Sequence, residues 1–221
     1  GPYSNLHKDD RKKFWNTGFT LQNAVSISGE DFYLSIDHAK IKGLVPDDVN
    51  NRTSLRFNGS KKYGRFSAEY GINYVLQNSD VVNESSFQNS FPGAYNGGLF
   101  FLVLQTPSNV PLLDYKDLNS KSGQFSNYYN EYAVNPYWLI KNIRTKGRTD
   151  DLIGTVSANY QFLPWLKGTV RLSSNLTFNN SKSTNAPVVV SDWAAANRNA
   201  TQYSNRLGSV FEDQAFTSRI N

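Results

Sequence analysis

The chain has 221 residues, a formal charge of +5, a pI near 9.3 and a mean hydropathy of -0.54, and 14% of it is aromatic against a hydrophobic total of only 38%. It holds no cysteine, which excludes disulfides and thiolate metal sites, and its longest apolar run, "LFFLVL" from Leu99, is far short of the roughly 18 residues of a membrane helix, which excludes a helical membrane protein. The cations are scattered, with only "DDRKK" and "SKKYGR" clustered, so they read as solvated turns and strand ends, and no nucleic-acid partner is expected.

Period-two runs bounded by turn residues predict about six strands. The first covers residues 14–28, with Phe19, Leu21, Val25 and Ile27 on one face. "GED" turns it into a second, where Phe32, Leu34 and Ile36 alternate with Tyr33, Ser35 and Asp37. A longer connection, "KGLVPDDVNNR", leads to a third strand near 53–60, and "KKYG" turns that into the fourth, "RFSAEYGINYVLQ". Here Phe66, Ala68, Tyr70, Ile72, Tyr74 and Leu76 are apolar or aromatic, while the residues between them are mostly polar or small, as in a strand with one oily and one wet face. A long loop over about 78–149 follows. The fifth strand, 150–162, puts Leu152, Val156, Ala158, Tyr160 and Phe162 on one face, and "LPW" turns it into the sixth, about 166–178. From about 179 a stretch rich in Asn, Ser and Thr reads as a further loop. "LFFLVL" and "PVVV" are too short and too poorly alternating to add strands.

The fold class expected is all-β, and the order of connections sharpens it. They run short, long, short, long, short, long, as in outer-membrane barrels with short periplasmic turns and long extracellular loops. The strands reach the 9 to 11 residues that cross a bilayer when tilted. Phe32, Tyr63, Phe66, Phe162 and Trp165 lie beside the short turns, where an aromatic girdle would sit. The oily faces of the last three strands carry no Lys or Arg; Asn23 and Lys40 depart from the pattern earlier in the chain. Phe66, Tyr70, Ile72, Leu76, Leu152, Val156, Tyr160 and Phe162 are therefore expected to face lipid, and Arg65, Glu69 and Asn73 a lumen. Six strands are fewer than the eight of the smallest bacterial barrels, so residues 1–221 are expected to form a section of a larger antiparallel barrel. With no methionine and no signal peptide before Gly1, the chain is expected to be processed or cut from a longer polypeptide.

Catalytic chemistry finds little footing. His7 and His38 are the only histidines, and neither has a nucleophile or carboxylate at a triad-like spacing, so no enzyme is expected. "GSKKYGR" has the glycines of a phosphate loop but continues into a strand, and reads as a hairpin turn. Asp9/Asp10, Asp47/Asp48 and Asp150/Asp151 lack calcium-loop spacing and read as solvated turns, leaving no metal and no cofactor expected. The rings of "SNYYNEYAVNPYW" (Tyr128, Tyr129, Tyr132, Tyr137 and Trp138) are candidates for contact with an outside partner or substrate, against the alternative that they pack the long loop onto itself. "NPYW" reads as a helix start, with Asn135 capping and Pro136 in the first turn.

The run "FWNTGFTLQNAVSISGEDFYLSIDHAKIKGLVPDDVNNRTSLRFNGS", then "QTPSNVPLLDYKD", "NPYWLIKN" and "DDLIGTVSANYQFLPWLKGTVRLS", resembles the middle of the barrel of SusC/RagA-type TonB-dependent transporters of Bacteroidetes, over about residues 14–178. The resemblance implies a large outer-membrane barrel with an N-terminal plug, energised by the TonB complex and capped by a SusD-like lipoprotein, that imports oligosaccharides or peptides. The plug, the TonB-contacting segment and the last strands of that pattern are not in these 221 residues, which alone would transport nothing. An expectation of a different class is a soluble or surface-attached β-sandwich that binds glycans and buries the same oily face.

Overall fold

The computed structural model describes residues 6–85, 98–120, 123–129, 134–197 and 205–221. Seven strands form one antiparallel sheet in chain order: β1 Phe19–Ser28, β2 Phe32–Lys42, β3 Val49–Tyr63, β4 Phe66–Val82, β5 Ile143–Leu163, β6 Leu166–Asn185 and β7 Ser209–Ile220. The sheet is open, with β1 and β7 as its edges. Every neighbour in the sheet is also a neighbour in sequence, so each pairing closes only the connection between its two strands.

Four differences from the sequence reading have physical causes. There are seven strands rather than six: β7 lies in the stretch read as a loop from about 179, because its apolar face offers only Val210, Phe216 and Ile220 among polar residues. The long insertion is 83–142 rather than about 78–149, and β3, β4, β5 and β6 all run further towards the loop end than their alternation shows. There Asn, Ser, Thr and charged residues dominate both faces and the few apolar residues (Val49, Val81, Val82, Ile143) do not alternate, so no period of two remains to be seen. The first strand begins at Phe19, since Asp10–Phe14 is a short helix, α1, whose Phe14 is buried in another core. Finally, β5 carries a bulge: Gln161 pairs with Lys167 and Leu163 with Leu166, leaving Phe162 extra.

Connections 29–31, 64–65 and 164–165 turn tightly at one end of the sheet, the hairpin end, where Gly64 takes the positive φ (57°) that a two-residue turn needs. Connections 43–48, 83–142 and 186–208 gather at the other, the loop end. The 83–142 connection contributes α2 (Gly98–Gln105), two 3-10 turns (Leu112–Lys116 and Phe125–Asn127) and α3 (Pro136–Asn142); the last connection contributes α4 (Asp192–Asn197). The main apolar core lies in this loop layer and not under the sheet. Leu99, Leu102, Val103, Leu112, Phe125, Val134, Leu139 and Ile143 pack there with Phe14 from before β1 and Val188 and Val190 from before β7.

Candidate functional site

Opposed residues in a sheet share a face, so the register sorts the side chains. One face is mainly apolar across all seven strands, with Lys61 of β3, ion-paired to Asp31, a charged exception near the hairpin end. Its rows include Val25, Ile36, Leu55, Tyr74, Leu152 and Leu176, then Ile27, Leu34, Phe57 and Ile72, then Phe32, Tyr70, Val156 and Leu172. These side chains are uncovered: Val25 is 71% exposed, Val156 54% and Leu172 58%. Towards the loop end the face turns polar over two rows: Asn23, His38, Thr53 and Asp150 already interrupt the row of Leu76, Phe178 and Phe216, and the next row, Lys40, Asn51, Asn78, Arg148, Asn180 and Gln214, is polar from β2 to β7. The second of these rows is polar across six strands.

At the hairpin end the same face closes on rings. Tyr63, Phe66 and Tyr160 occupy one row, and Trp165 stands 78% exposed in its turn. Several of these rings lie over glycines. A Cβ on Gly59 would collide with the Tyr70 ring, one on Gly168 would meet the Phe162 ring at 2.8 Å, and one on Gly29 the Phe32 ring at 2.5 Å. Glycine opposite each ring lets it lie flat on the sheet, and Phe162 keeps an edge contact with Tyr160 at 4.9 Å.

The opposite face is polar and hydrogen-bonded along its rows. Asp37 accepts from Ser54 at 2.9 Å and from Gln22, and faces Arg52 at 3.7 Å. Thr169 bonds Asn159 at 2.8 Å, and Thr177 bonds Asp151 at 2.6 Å. Near the β1–β2 turn this face forms a hollow of about 570 Å³. Glu69, Ser157 and Arg171 cross it in register, with Ser157 buried.

The loop layer is fixed by two polar hubs. Arg144 at the start of β5 donates from Nε to Asp80 (2.8 Å), from Nη1 to Asp48 (2.9 Å) and the Ile140 carbonyl (3.1 Å), and from Nη2 to the Asp47 carbonyl (2.9 Å). It ties the 43–48 connection, β4 and α3 together. Burial raises the Asp48 carboxyl above its ordinary pKa, against the opposing pull of the Val82 N–H and Arg144; burial also raises Glu84, whose Oε1 accepts from the Leu99 N–H at 3.0 Å. Asn135 is the second hub. Its Oδ1 accepts from the Tyr137 N–H (3.0 Å), and its Nδ2 donates to the Tyr115 and Gly123 carbonyls (2.9 and 2.8 Å).

The residues named from sequence fall out as follows. Phe66, Tyr70, Ile72, Leu76, Leu152, Val156 and Tyr160 share the apolar face, and Phe162 joins it through its bulge; Glu69 and Asn73 lie on the polar face, and Arg65 sits in the hairpin turn, reaching the Phe162 carbonyl. Tyr128, Tyr137 and Trp138 are core residues of the loop layer, 2%, 6% and 8% exposed. Phe125 meets Trp138 edge-on at 4.9 Å and Phe14 packs on Tyr137 at 4.7 Å, and burial pushes the Tyr137 hydroxyl up to about 12. Tyr129 is half-buried beside Tyr128, and Tyr132 lies outside the described residues. α3 starts as its sequence indicates, capped by Asn135 with Pro136 in its first turn. His7 bonds Asp10 (3.1 Å) and His38 bonds Thr53 (2.9 Å), and among the described residues no group of three His, Cys, Asp or Glu is placed to hold a metal ion. Sequence reasoning did not single out Arg171 or Ser157, although the alternation around Val170 and Leu172 puts Arg171 on the polar face. Arg144 with Asp48 and Asp80 had no local signal, its partners being 96 and 64 residues away.

The geometry thus defines a class: an all-β chain whose open antiparallel sheet is oily on one face and polar on the other, with its long connections collected at one end. No family model matches the sequence, and no curated protein matches it.

Proposed function

We propose that the chain is a section of a large transmembrane β-barrel in a Gram-negative outer membrane, part of a TonB-dependent importer. The observation that carries the reading is the uncovered apolar face, bounded in register by a polar row at the loop end and by rings at the hairpin end. From Phe66 to Leu76 the face runs along ten rises of about 3.4 Å, and at a tilt of about 45° this gives a height of about 24 Å, close to the ~25 Å apolar band of outer-membrane barrels. In this reading the rings are the periplasmic girdle, the tight turns face the periplasm, and the loop layer stands outside the cell. The polar face lines the lumen, where side chains can meet water or substrate.

The open edges fit a section of a barrel. β1 and β7 run in the same direction, being the first and seventh members of an antiparallel series, so closure takes an odd number of further strands and gives the even total usual for bacterial barrels. The resemblance to SusC/RagA-type transporters supplies the finer part of the proposal: uptake of oligosaccharides or peptides with a SusD-like lipoprotein over the loop layer, and TonB engaged through other parts of the protein. A β-sandwich would need a second sheet over the apolar face and gives no reason for a polar row continuous across six strands.

The test is extraction from source membranes, with the polypeptide identified by peptide sequencing. The expected species is released only by detergent and has a denatured mass several times 24.9 kDa. A water-soluble species of 24.9 kDa would overturn the reading.

A further inference from the structure

The hollow of about 570 Å³ on the polar face, within the size range of small-ligand sites, collects polar side chains whose bonding capacity is unspent. Elsewhere on this face Asp37, Asp151 and Asn159 each bond a side chain of the strand beside them. In the hollow, among the described residues, Asn58, Glu69, Thr155, Ser157 and Arg171 have neither an ion pair nor a side-chain hydrogen bond. Glu69 on β4 and Arg171 on β6 are both register partners of Ser157 on β5, which is buried between them. Two strand spacings, about 10 Å, separate their backbones. The hollow is polarised: Glu30 in the β1–β2 turn and Glu69 make one side acidic, Arg171 makes the β6 side basic, and Asp31 is already held by Lys61 at 2.6 Å. Gly71 forms the floor between Asn58 and Thr155. A Cβ there would meet Asn58 Oδ1 at 2.8 Å and Thr155 Oγ1 at 3.1 Å, so glycine leaves the space between them open.

We propose that this hollow binds a zwitterion of the size of a short peptide, with its ammonium group towards Glu69, its carboxylate on Arg171 and its central amides over Ser157 and Thr155. Three residues of extended chain span about 10 Å, which matches the separation of the two charged positions. An Arg offers a carboxylate two parallel N–H donors, and Ser and Thr hydroxyls both donate and accept, as a peptide group requires. The inference rests on the reading of the polar face as a lumen wall and deepens it, placing a charge-selective station near the hairpin end. A neutral sugar could fill the same space but would leave both charges unpaired.

The test uses the full-length protein purified in detergent, with trialanine binding read by isothermal titration calorimetry. The comparison ligands are N-acetyl-trialanine, trialanine amide and maltotriose. Blocking either terminus is expected to weaken binding about fivefold, the worth of a partly exposed ion pair, and maltotriose to bind more weakly than trialanine. Glu69→Gln is expected to remove the penalty of acetylation alone, and Arg171→Gln that of amidation alone. Each variant keeps its response to the other terminus, which shows that it is folded. No trialanine binding at millimolar concentration, blocked peptides or maltotriose binding as tightly as trialanine, or variants that leave both penalties in place would each overturn the site. The expected pattern in a protein soluble without detergent would keep the site and overturn the membrane reading, so the two failures are distinguishable.

Discussion

Asn135 joins three parts of the loop layer through one buried amide: the first turn of α3 and the carbonyls of Tyr115 and Gly123. Asn135→Ala removes a helix cap, costing about 1 kcal/mol, and strands two buried acceptors at about 1–3 kcal/mol each. A loss of roughly 3–7 kcal/mol confined to the loop layer is expected. In the full-length protein it would appear as faster protease cleavage within 98–142 while the strands stay protected; cleavage at the native rate would contradict the role. The cap was legible because the cap residue, proline and first turn are adjacent in sequence. The carbonyl contacts were not, since nothing in "NPYW" points to residues 12 and 20 positions upstream. The ring cluster shows the same limit. The sequence left Tyr128, Tyr137 and Trp138 between contact with a partner and packing of the loop onto itself; the structure shows the packing, and it depends on Phe14, Leu99 and Val188, which the local sequence around the rings does not indicate.

For the strands, alternation is a signal of environment and not of pairing. It is visible in β4 from Phe66 to Leu76, where one face is apolar, and fades beyond, where Asn78, Ser79 and Asp80 are polar on both faces and Val81 and Val82 follow side by side. That is why strand existence was readable for six elements while the loop-end boundaries were not, and why β7, whose pairing to β6 runs from Ser174↔Ile220 to Asn185↔Ser209, passed for a loop. The two faces of a single strand give a direct comparison. Val156→Arg puts a charge near the middle of the apolar band and is expected to cost about 2–4 kcal/mol in lipid. Thr155→Arg, one residue away on the polar face, is expected to change stability little. Urea titration of full-length protein folded into vesicles would read the difference, and equal costs would mean that the two faces see the same surroundings.

For the whole molecule, the division of labour is unusual for a chain of this size. Its main core belongs to the connections, held to the sheet by Arg144 through Asp48 and Asp80, while the sheet presents its oily side unburied. A sheet in water would leave that face as a large exposed patch, which marks an interaction surface with lipid or protein. The hairpin order, the segregation of connection lengths and the face assignments were all readable from sequence, because each rests on local pattern. The assembly of the loop layer was not, because it joins segments from before β1, between β2 and β3, between β4 and β5, and before β7. The central claim is that the apolar face meets lipid, and collision measurements on spin labels test it most directly. The sequence carries no cysteine, so single nitroxides can be placed at Ile72, Val156 and Leu172 on one face and at Asn73 and Thr155 on the other in membrane-embedded protein. The account predicts that the first set collides with dissolved oxygen and is closed to a water-soluble nickel chelate, and that the second set shows the reverse. Labels at Val156 and Leu172 sealed from both reagents, as under a second sheet, or open to the nickel chelate, would contradict it.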